Sequence, residues 1–231
     1  MTQATTNINE HYTDFYVSRN PDKVYPTEFV VRTFLAKYPN LNITIKPGSK
    51  VLDLGFGDAR NTMFLIDKGF DVSGIEITDD IVKLSENRLM KHGVKADLRV
   101  GRNSKIPFDD KYFDIVLGCH VSYYCDEGEN FSDNVKEFAR VLKPGGYFIT
   151  SLPMTTSYIF NGAEQLNDGC MRINKDPYNN RIGYKLRAFV NEDEIETELS
   201  SHFENFSIGS AQNNYYGIDE RLYWVTCQKK L

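Results

Sequence analysis

The sequence is short of the residues on which several kinds of chemistry depend. It has four cysteines in 231 residues, Cys119, Cys125, Cys170 and Cys227. None forms a Cys-x-x-Cys pair, and no His/Cys group has zinc spacing, so structural zinc is disfavoured and no metal site is expected. Free thiols in a reducing compartment are the expectation. No apolar run approaches the roughly 20 residues of a membrane helix. The opening Met1–Glu10 lacks the basic-then-apolar order of a signal peptide. A basic run is missing as well, and the net charge is −5, which disfavours tracking a phosphate backbone or an anionic membrane. These absences predict a cytoplasmic protein without a nucleic-acid or membrane partner. No heptad seam or exposed apolar helix announces an oligomeric state.

What is present is an ordinary globular composition, 41% apolar and 26% charged. Against one tryptophan stand 14 tyrosines and 15 phenylalanines. Tyrosine joins an apolar body to a polar tip, which suits the lining of a ligand pocket. Residues 1–25 are polar with scattered aromatics, and a helix is predicted from Pro26 to before Pro39. Strands are then predicted at 51–54, 70–75, 97–100, 113–118 and 147–152, with helices at 59–68, 78–91 and 133–142 between them. Thr78 is the expected cap and Gly93 the expected stop of the second of these helices. Such alternation implies a mostly parallel α/β sheet with helices on both faces. Residues 153–190 break the rhythm and read as a lid or insertion. A helix at 191–201 and strands at 206–208 and 222–228 close the chain. The reading is a single domain, with a cap over 1–45, a core over 48–152, the insertion over 153–190 and closing elements over 191–231.

The strongest local signal is Val51-Leu52-Asp53-Leu54-Gly55-Phe56-Gly57-Asp58-Ala59-Arg60-Asn61, a strand, a tight glycine turn and a helix start. Glycines let a ligand approach the backbone at the carboxyl end of a strand. Glu76 follows the second strand, where an acid can accept both hydroxyls of a ribose. That much fits dinucleotide and adenosyl cofactors alike. Arg60 stands where the dinucleotide fingerprint wants a third glycine. Asp53 places a carboxylate at the strand tip, which suits a cofactor with a positive amino group and repels a diphosphate. Ile106-Pro107-Phe108, Phe113-Asp114-Ile115-Val116 and Leu142-Lys143-Pro144-Gly145-Gly146 follow in order.

Over residues 48–152 this ordered set resembles the class I S-adenosylmethionine-dependent methyltransferases of the small-molecule type. The resemblance implies a Rossmann-like, seven-stranded, mostly parallel sheet with an antiparallel C-terminal strand, and S-adenosyl-L-methionine as cofactor. It implies that Asp53 and the Gly55–Phe56–Gly57 turn hold the methionine portion, with Arg60 a candidate for its carboxylate. Glu76 would bind the ribose, Ile77 would pack on the adenine, and Cys119 would offer backbone contact. The family often has an acid after Gly101 that meets the adenine amino group. This chain has Arg102, so Asn103 and the neighbouring Ser104 are the candidates there. An N-terminal segment folding over the cofactor would bring Tyr16 or Tyr25 to the site.

Methyl transfer from a sulfonium is a direct displacement that needs alignment and exclusion of water, plus a base when the acceptor is a hydroxyl. His92 and His202 end helices, where a cation suits the dipole. His120, at the carboxyl end of the fourth strand, is the candidate base, and Tyr16 is the second catalytic candidate. Cys119 lacks the preceding proline of cytosine C5-methyltransferases, and no Asn/Asp-Pro-Pro-aromatic motif follows the fourth strand. The acceptor is read as a small polar molecule, a sugar-like hydroxyl being favoured over an amine or carboxylate, because the cap and insertion supply Tyr, Arg and Asn. The rival functions are a non-catalytic adenosyl-binding module and an NAD-dependent oxidoreductase.

Overall fold

The structure is a computed structural model that describes residues 3–18 and 23–231. Positions 1–2 and 19–22 of the 1–45 cap lie outside the described residues. The chain begins with α1 (Gln3–Ser18) and α2 (Glu28–Leu35). The alternating core follows: β1 (Lys50–Leu54), α3 (Arg60–Asp67), β2 (Asp71–Glu76), α4 (Asp79–Lys91), β3 (Asp97–Val100) and β4 (Phe113–Gly118). A two-residue strand, β5 (Tyr124–Cys125), precedes α5 (Phe131–Val141) and β6 (Leu142–Pro153). Then come β7 (Glu164–Gln165), β8 (Cys170–Arg172), β9 (Lys185–Arg187), α6 (Glu192–Leu199), β10 (Phe203–Tyr215) and β11 (Ile218–Lys229).

Seven strands form one sheet in the order β10-β11-β6-β4-β1-β2-β3. The strands β6, β4, β1, β2 and β3 run parallel, with Leu52 opposite Val116 on one side and Ser73 on the other. β11 returns antiparallel against β6, and β10 pairs antiparallel with β11. This is the Rossmann-like arrangement anticipated above, with a pair of antiparallel strands at the C-terminal end. Strand order reverses between β1 and β4, so their carboxyl ends diverge and leave a crevice there. The central strands are mostly apolar and buried, as expected of parallel strands covered on both faces.

Local chemistry explains the helix boundaries. Thr78 caps α4 by accepting the Ile81 N–H, and Gly93 ends the helix at φ 71°. Asn130 and Asp133 form a reciprocal capping box that starts α5.

Three elements differ from the sequence reading. Residues 3–18 are a helix, where only a polar segment with scattered aromatics was read. The closing strands are far longer than 206–208 and 222–228. In β10 the outward positions carry Glu204, Asn205, Gly209, Ser210 and Gln212, so an edge strand looks like a loop in composition. Residues 153–190 contribute β7, β8 and β9, which with β5 make a second, four-stranded antiparallel sheet in the order β5-β9-β8-β7. No helix among the described residues is long and apolar enough to cross a membrane.

Candidate functional site

The carboxyl ends of β1, β2 and β4 open into a cavity of about 530 Å³, within the usual size range of small-molecule sites. The core sheet supplies its floor, α1 its cover, and the small sheet with its loops the far wall. Gly55 and Gly57 hold φ of 57° and 54° in the turn after β1. A Cβ on Gly55 would stand 2.6 Å from Val121, and one on Gly57 would overlap the Tyr16 ring. Both positions must therefore be glycine, because Val121 packs on the first and the Tyr16 ring on the second, and Gly55 borders the cavity.

Glu76, at the tip of β2, accepts the Gly57 N–H through Oε1 at 3.1 Å and the Ile77 N–H through Oε2 at 2.7 Å. Burial pushes its carboxyl up to about 7, although these two bonds and Arg102 pull the other way. A carboxylate has about four acceptor sites, so two remain for a ligand. Arg60 opens α3 and forms a two-pronged pair with Asp58, at 2.8 Å for both Nε–Oδ1 and Nη2–Oδ2. Both border the cavity, as do Phe56 and Ile77.

Asp53 is placed differently from the expectation. It lies behind the turn, buried and off the cavity wall, where its Oδ2 accepts the Thr62 hydroxyl at 2.6 Å. Its position braces the β1–α3 connection. Burial above all, with Glu76 and Asp58 nearby, raises it to about 7 from an ordinary 3.8, against the pull of Thr62. A carboxyl raised on folding makes the folded chain bind more protons than the unfolded one between those two values. The Asp53 contribution to stability is then greatest below pH 4, and is lost as pH rises through about 7. Urea midpoints between pH 5 and pH 8 are expected to decline in the ligand-free wild type. The slope should be shallower in Asp53→Asn; an identical slope would contradict this placement.

The stretch after β3 also departs from expectation. Asn103 borders the cavity, but its Nδ2 donates to the carbonyls of Val121 at 2.9 Å and Tyr124 at 3.1 Å. Its amide nitrogen is committed to the loop after β4, while these bonds leave its Oδ1 able to accept. Ser104 bonds Glu129 and lies off the wall. Arg102 reaches Asp126 at 3.2 Å and Asn9 of α1 at 2.8 Å. An acid thus stands beside Arg102 after all, brought from the end of β5 by the fold, and Asp126 borders the cavity.

Among the aromatics, Tyr16 lies against Gly57 and borders the cavity, whereas Tyr25 is 74% exposed and outside it. Tyr25 precedes Pro26, a position that disfavours helix, and lies outside regular secondary structure. Burial, with Glu76 and Asp58 close by, drives the Tyr16 phenol well above its ordinary value, so it keeps its proton and cannot act as a base. Cys119 borders the cavity too, and burial pushes its thiol up to about 12, which leaves it unreactive.

His120 follows β4 with a φ of 59°, a left-handed conformation rare for a residue with a Cβ. Its N–H donates to Ser151 Oγ at 2.8 Å, which holds the strained backbone, and the ring borders the cavity. Nδ1 stands 4.0 Å from Glu220 Oε1. Burial lowers the imidazole below its ordinary 6.5, Arg181 and Arg60 lower it further, and Glu220 opposes them. The ring is neutral at physiological pH and able to take a proton.

Sequence reading missed Glu220, which it left in a polar loop. Glu220 sits on β11, and the two-residue period of Ile218, Glu220 and Leu222 was the signal that it shares their face. Tyr12 was also missed; its hydroxyl is 2.8 Å from that of Tyr124.

A glycine turn beneath a crevice, a carboxylate at the tip of the next strand and a helical cover define an adenosyl-type cofactor site on a Rossmann-like sheet. Residues 52–150 match the family model of a methyltransferase domain. Over those residues the chain is similar to methyltransferase domains. It is 32% identical over 105 residues to the ubiquinone/menaquinone biosynthesis C-methyltransferase UbiE of Laribacter hongkongensis, covering 44% of this chain and 42% of that one. It is 33% identical over 109 residues to the 2-methyl-6-phytyl-1,4-hydroquinone methyltransferase of a Synechocystis strain, covering 47% and 33%. The chain thus aligns with less than half the length of these curated relatives. In structure it is similar to an S-adenosylmethionine-dependent methyltransferase of Methanosarcina mazei, with a TM-score of 0.66, 23% identity, and 85% and 100% of the two chains covered.

Proposed function

We propose that the protein transfers a methyl group from S-adenosylmethionine to a small, hydroxyl-bearing, ring-sized acceptor, with His120 as the base. The observation that carries this reading is the left-handed backbone of His120, which aims a neutral imidazole into the cavity at the carboxyl end of β4. Strain of that kind costs of order 1–3 kcal/mol and persists where a function requires it.

The residues present fit the cofactor. Glu76 has acceptor sites for a ribose diol, Gly55 borders the cavity without a side chain, and Arg60 offers a cation for a carboxylate. Asp126 and the Asn103 Oδ1 are the acceptors available to an adenine amino group. When bound, S-adenosylmethionine supplies an electrophilic methyl on a sulfonium that leaves as a neutral thioether. The chain's own residues do the rest. The α1 cover, through Tyr12, Phe15 and Tyr16, excludes water. His120 accepts the acceptor's hydroxyl proton as the carbon–oxygen bond forms and the carbon–sulfur bond breaks. Glu220 then stabilises the imidazolium.

A second reading is C-methylation of a phenolic ring. It is favoured by the tyrosines facing the cavity and by the quinone and hydroquinone acceptors in the relatives' names. Proton removal by His120 serves both, since a phenolate is nucleophilic at oxygen and at ring carbon. The test is incubation with S-adenosylmethionine and a panel of hydroxylated sugars and phenols, read by mass spectrometry. The expected result is an acceptor gaining one methyl with equimolar S-adenosylhomocysteine. Turnover confined to apolar amines would sink the proposal.

A further inference from the structure

The far wall of the cavity holds a cation in a way that the cofactor's needs do not explain. Asp176 is completely buried and accepts the backbone N–H groups of Tyr178 at 3.1 Å, Asn180 at 3.1 Å and Arg181 at 3.0 Å. It also meets the Arg181 guanidinium, through Nε at 3.2 Å and Nη2 at 3.3 Å. The loop is wound around one carboxylate, and its product is the placement of Arg181. Nη2 further donates to the Tyr158 hydroxyl at 2.9 Å. Nη1 has no hydrogen-bond partner among the described residues, yet the side chain is only 16% exposed and borders the cavity.

The Asp176 charge is shared among three backbone donors and one edge of the guanidinium. That leaves the two N–H groups of Nη1 without a hydrogen-bond partner among the described residues, on a side chain that borders the cavity. Unpaired donors of a charged group at a half-dry surface cost free energy unless a ligand meets them. Two unpaired N–H donors on one nitrogen of a fixed cation are met best by an anionic oxygen, such as that of a carboxylate or a phosphate. The tyrosine rings of residues 123, 158, 178 and 184 border the same cavity and suit a flat or ring-shaped body.

We propose that the methyl acceptor carries an anionic group, a carboxylate or a phosphate, seated on Nη1 of Arg181, with Asp176 as the positioning residue. This rests on the reading of the cavity as a methyl-acceptor site. It extends that reading from a hydroxylated ring to an anionic hydroxylated ring, held at Arg181 with its hydroxyl toward His120.

The probes are 4-hydroxybenzoate, 4-hydroxyphenyl phosphate and the uncharged 4-hydroxybenzamide. Each is titrated into the full chain at fixed ionic strength, with and without S-adenosylhomocysteine. One of the anions is expected to bind about tenfold or more tightly than the amide, and the tighter of the two names the anion. The preference should vanish in Arg181→Gln and persist in part in Arg181→Lys, with S-adenosylhomocysteine affinity in both variants reporting an intact fold. Equal binding of all three probes, no binding of either anion, or a preference unchanged in Arg181→Gln would overturn the proposal. Failure of S-adenosylhomocysteine to bind the wild type overturns the methyltransferase reading instead, and the anion preference still decides whether Arg181 is an anion seat.

Discussion

Replacing His120 with alanine is expected to lower kcat by about 10²–10⁴-fold, the usual contribution of a positioned acid or base, while S-adenosylhomocysteine affinity stays near that of the wild type. The split follows from geometry, because His120 is held by Ser151 and stands beside Glu220, while Glu76 is bonded to the Gly57 and Ile77 N–H groups. Removing a charged pair member that merely shaped the pocket would move KM and leave kcat in place. The pH profile is the second readout. The imidazole is depressed below its ordinary 6.5 and works only when neutral. Turnover should be flat above pH 7 and fall on an acid limb below pH 6.5. Glu220→Gln removes the one influence that raises the imidazole, so the limb should shift to lower pH while the plateau rate drops with the lost support of the imidazolium.

Glu76→Ala should weaken S-adenosylhomocysteine by about 100-fold or more, because charge-assisted hydrogen bonds contribute about 1.5–3 kcal/mol each. Two effects combine. The variant loses the acceptor sites for a ribose, and it also releases the Gly57 and Ile77 N–H groups that the carboxylate holds. Glu76→Gln keeps the volume and one acceptor, so it should fall between the two, and calorimetric titration separates them. In the wild type, ligand hydroxyls favour the ionised carboxylate, whose value without ligand is about 7. Affinity should therefore fall as pH drops below 7. An affinity independent of both substitution and pH would remove Glu76 from the site.

The parts of the fold legible in the sequence are those where a local signal and the tertiary structure agree. The parallel core was readable because its strands are short, apolar runs flanked by glycine turns and capped helices. Thr78 and Gly93 bound α4 as their chemistry requires. The helix α1 was not readable, because its contacts are polar-tipped. Tyr12 and Tyr16 stack at 6.4 Å, Tyr12 bonds outward to Tyr124, and no apolar stripe marks the face. The long hairpin of β10 and β11 was hidden by the polar composition of an exposed edge.

The site divides in the same way. Glu76, the glycine turn, Arg60 and His120 are fixed by motif spacing along the core strands, and the cavity gathers them. The acid beside Arg102 is remote in sequence: Asp126 arrives through a two-residue strand that exists only because β9 pairs with it. Arg181 was visible as composition, but its orientation depends on the buried Asp176 five positions earlier. No periodicity encodes that. Asp53 shows the converse error, since a strand-tip carboxylate seemed aimed at a ligand and instead braces Thr62.

The measurement that tests the central claim most directly is calorimetric titration of the purified chain with S-adenosylmethionine, S-adenosylhomocysteine and NADH. The account predicts one-to-one binding of both adenosyl ligands and none of NADH. Binding of NADH with failure of both adenosyl ligands would contradict it, and would make the Gly55–Gly57 turn a dinucleotide site.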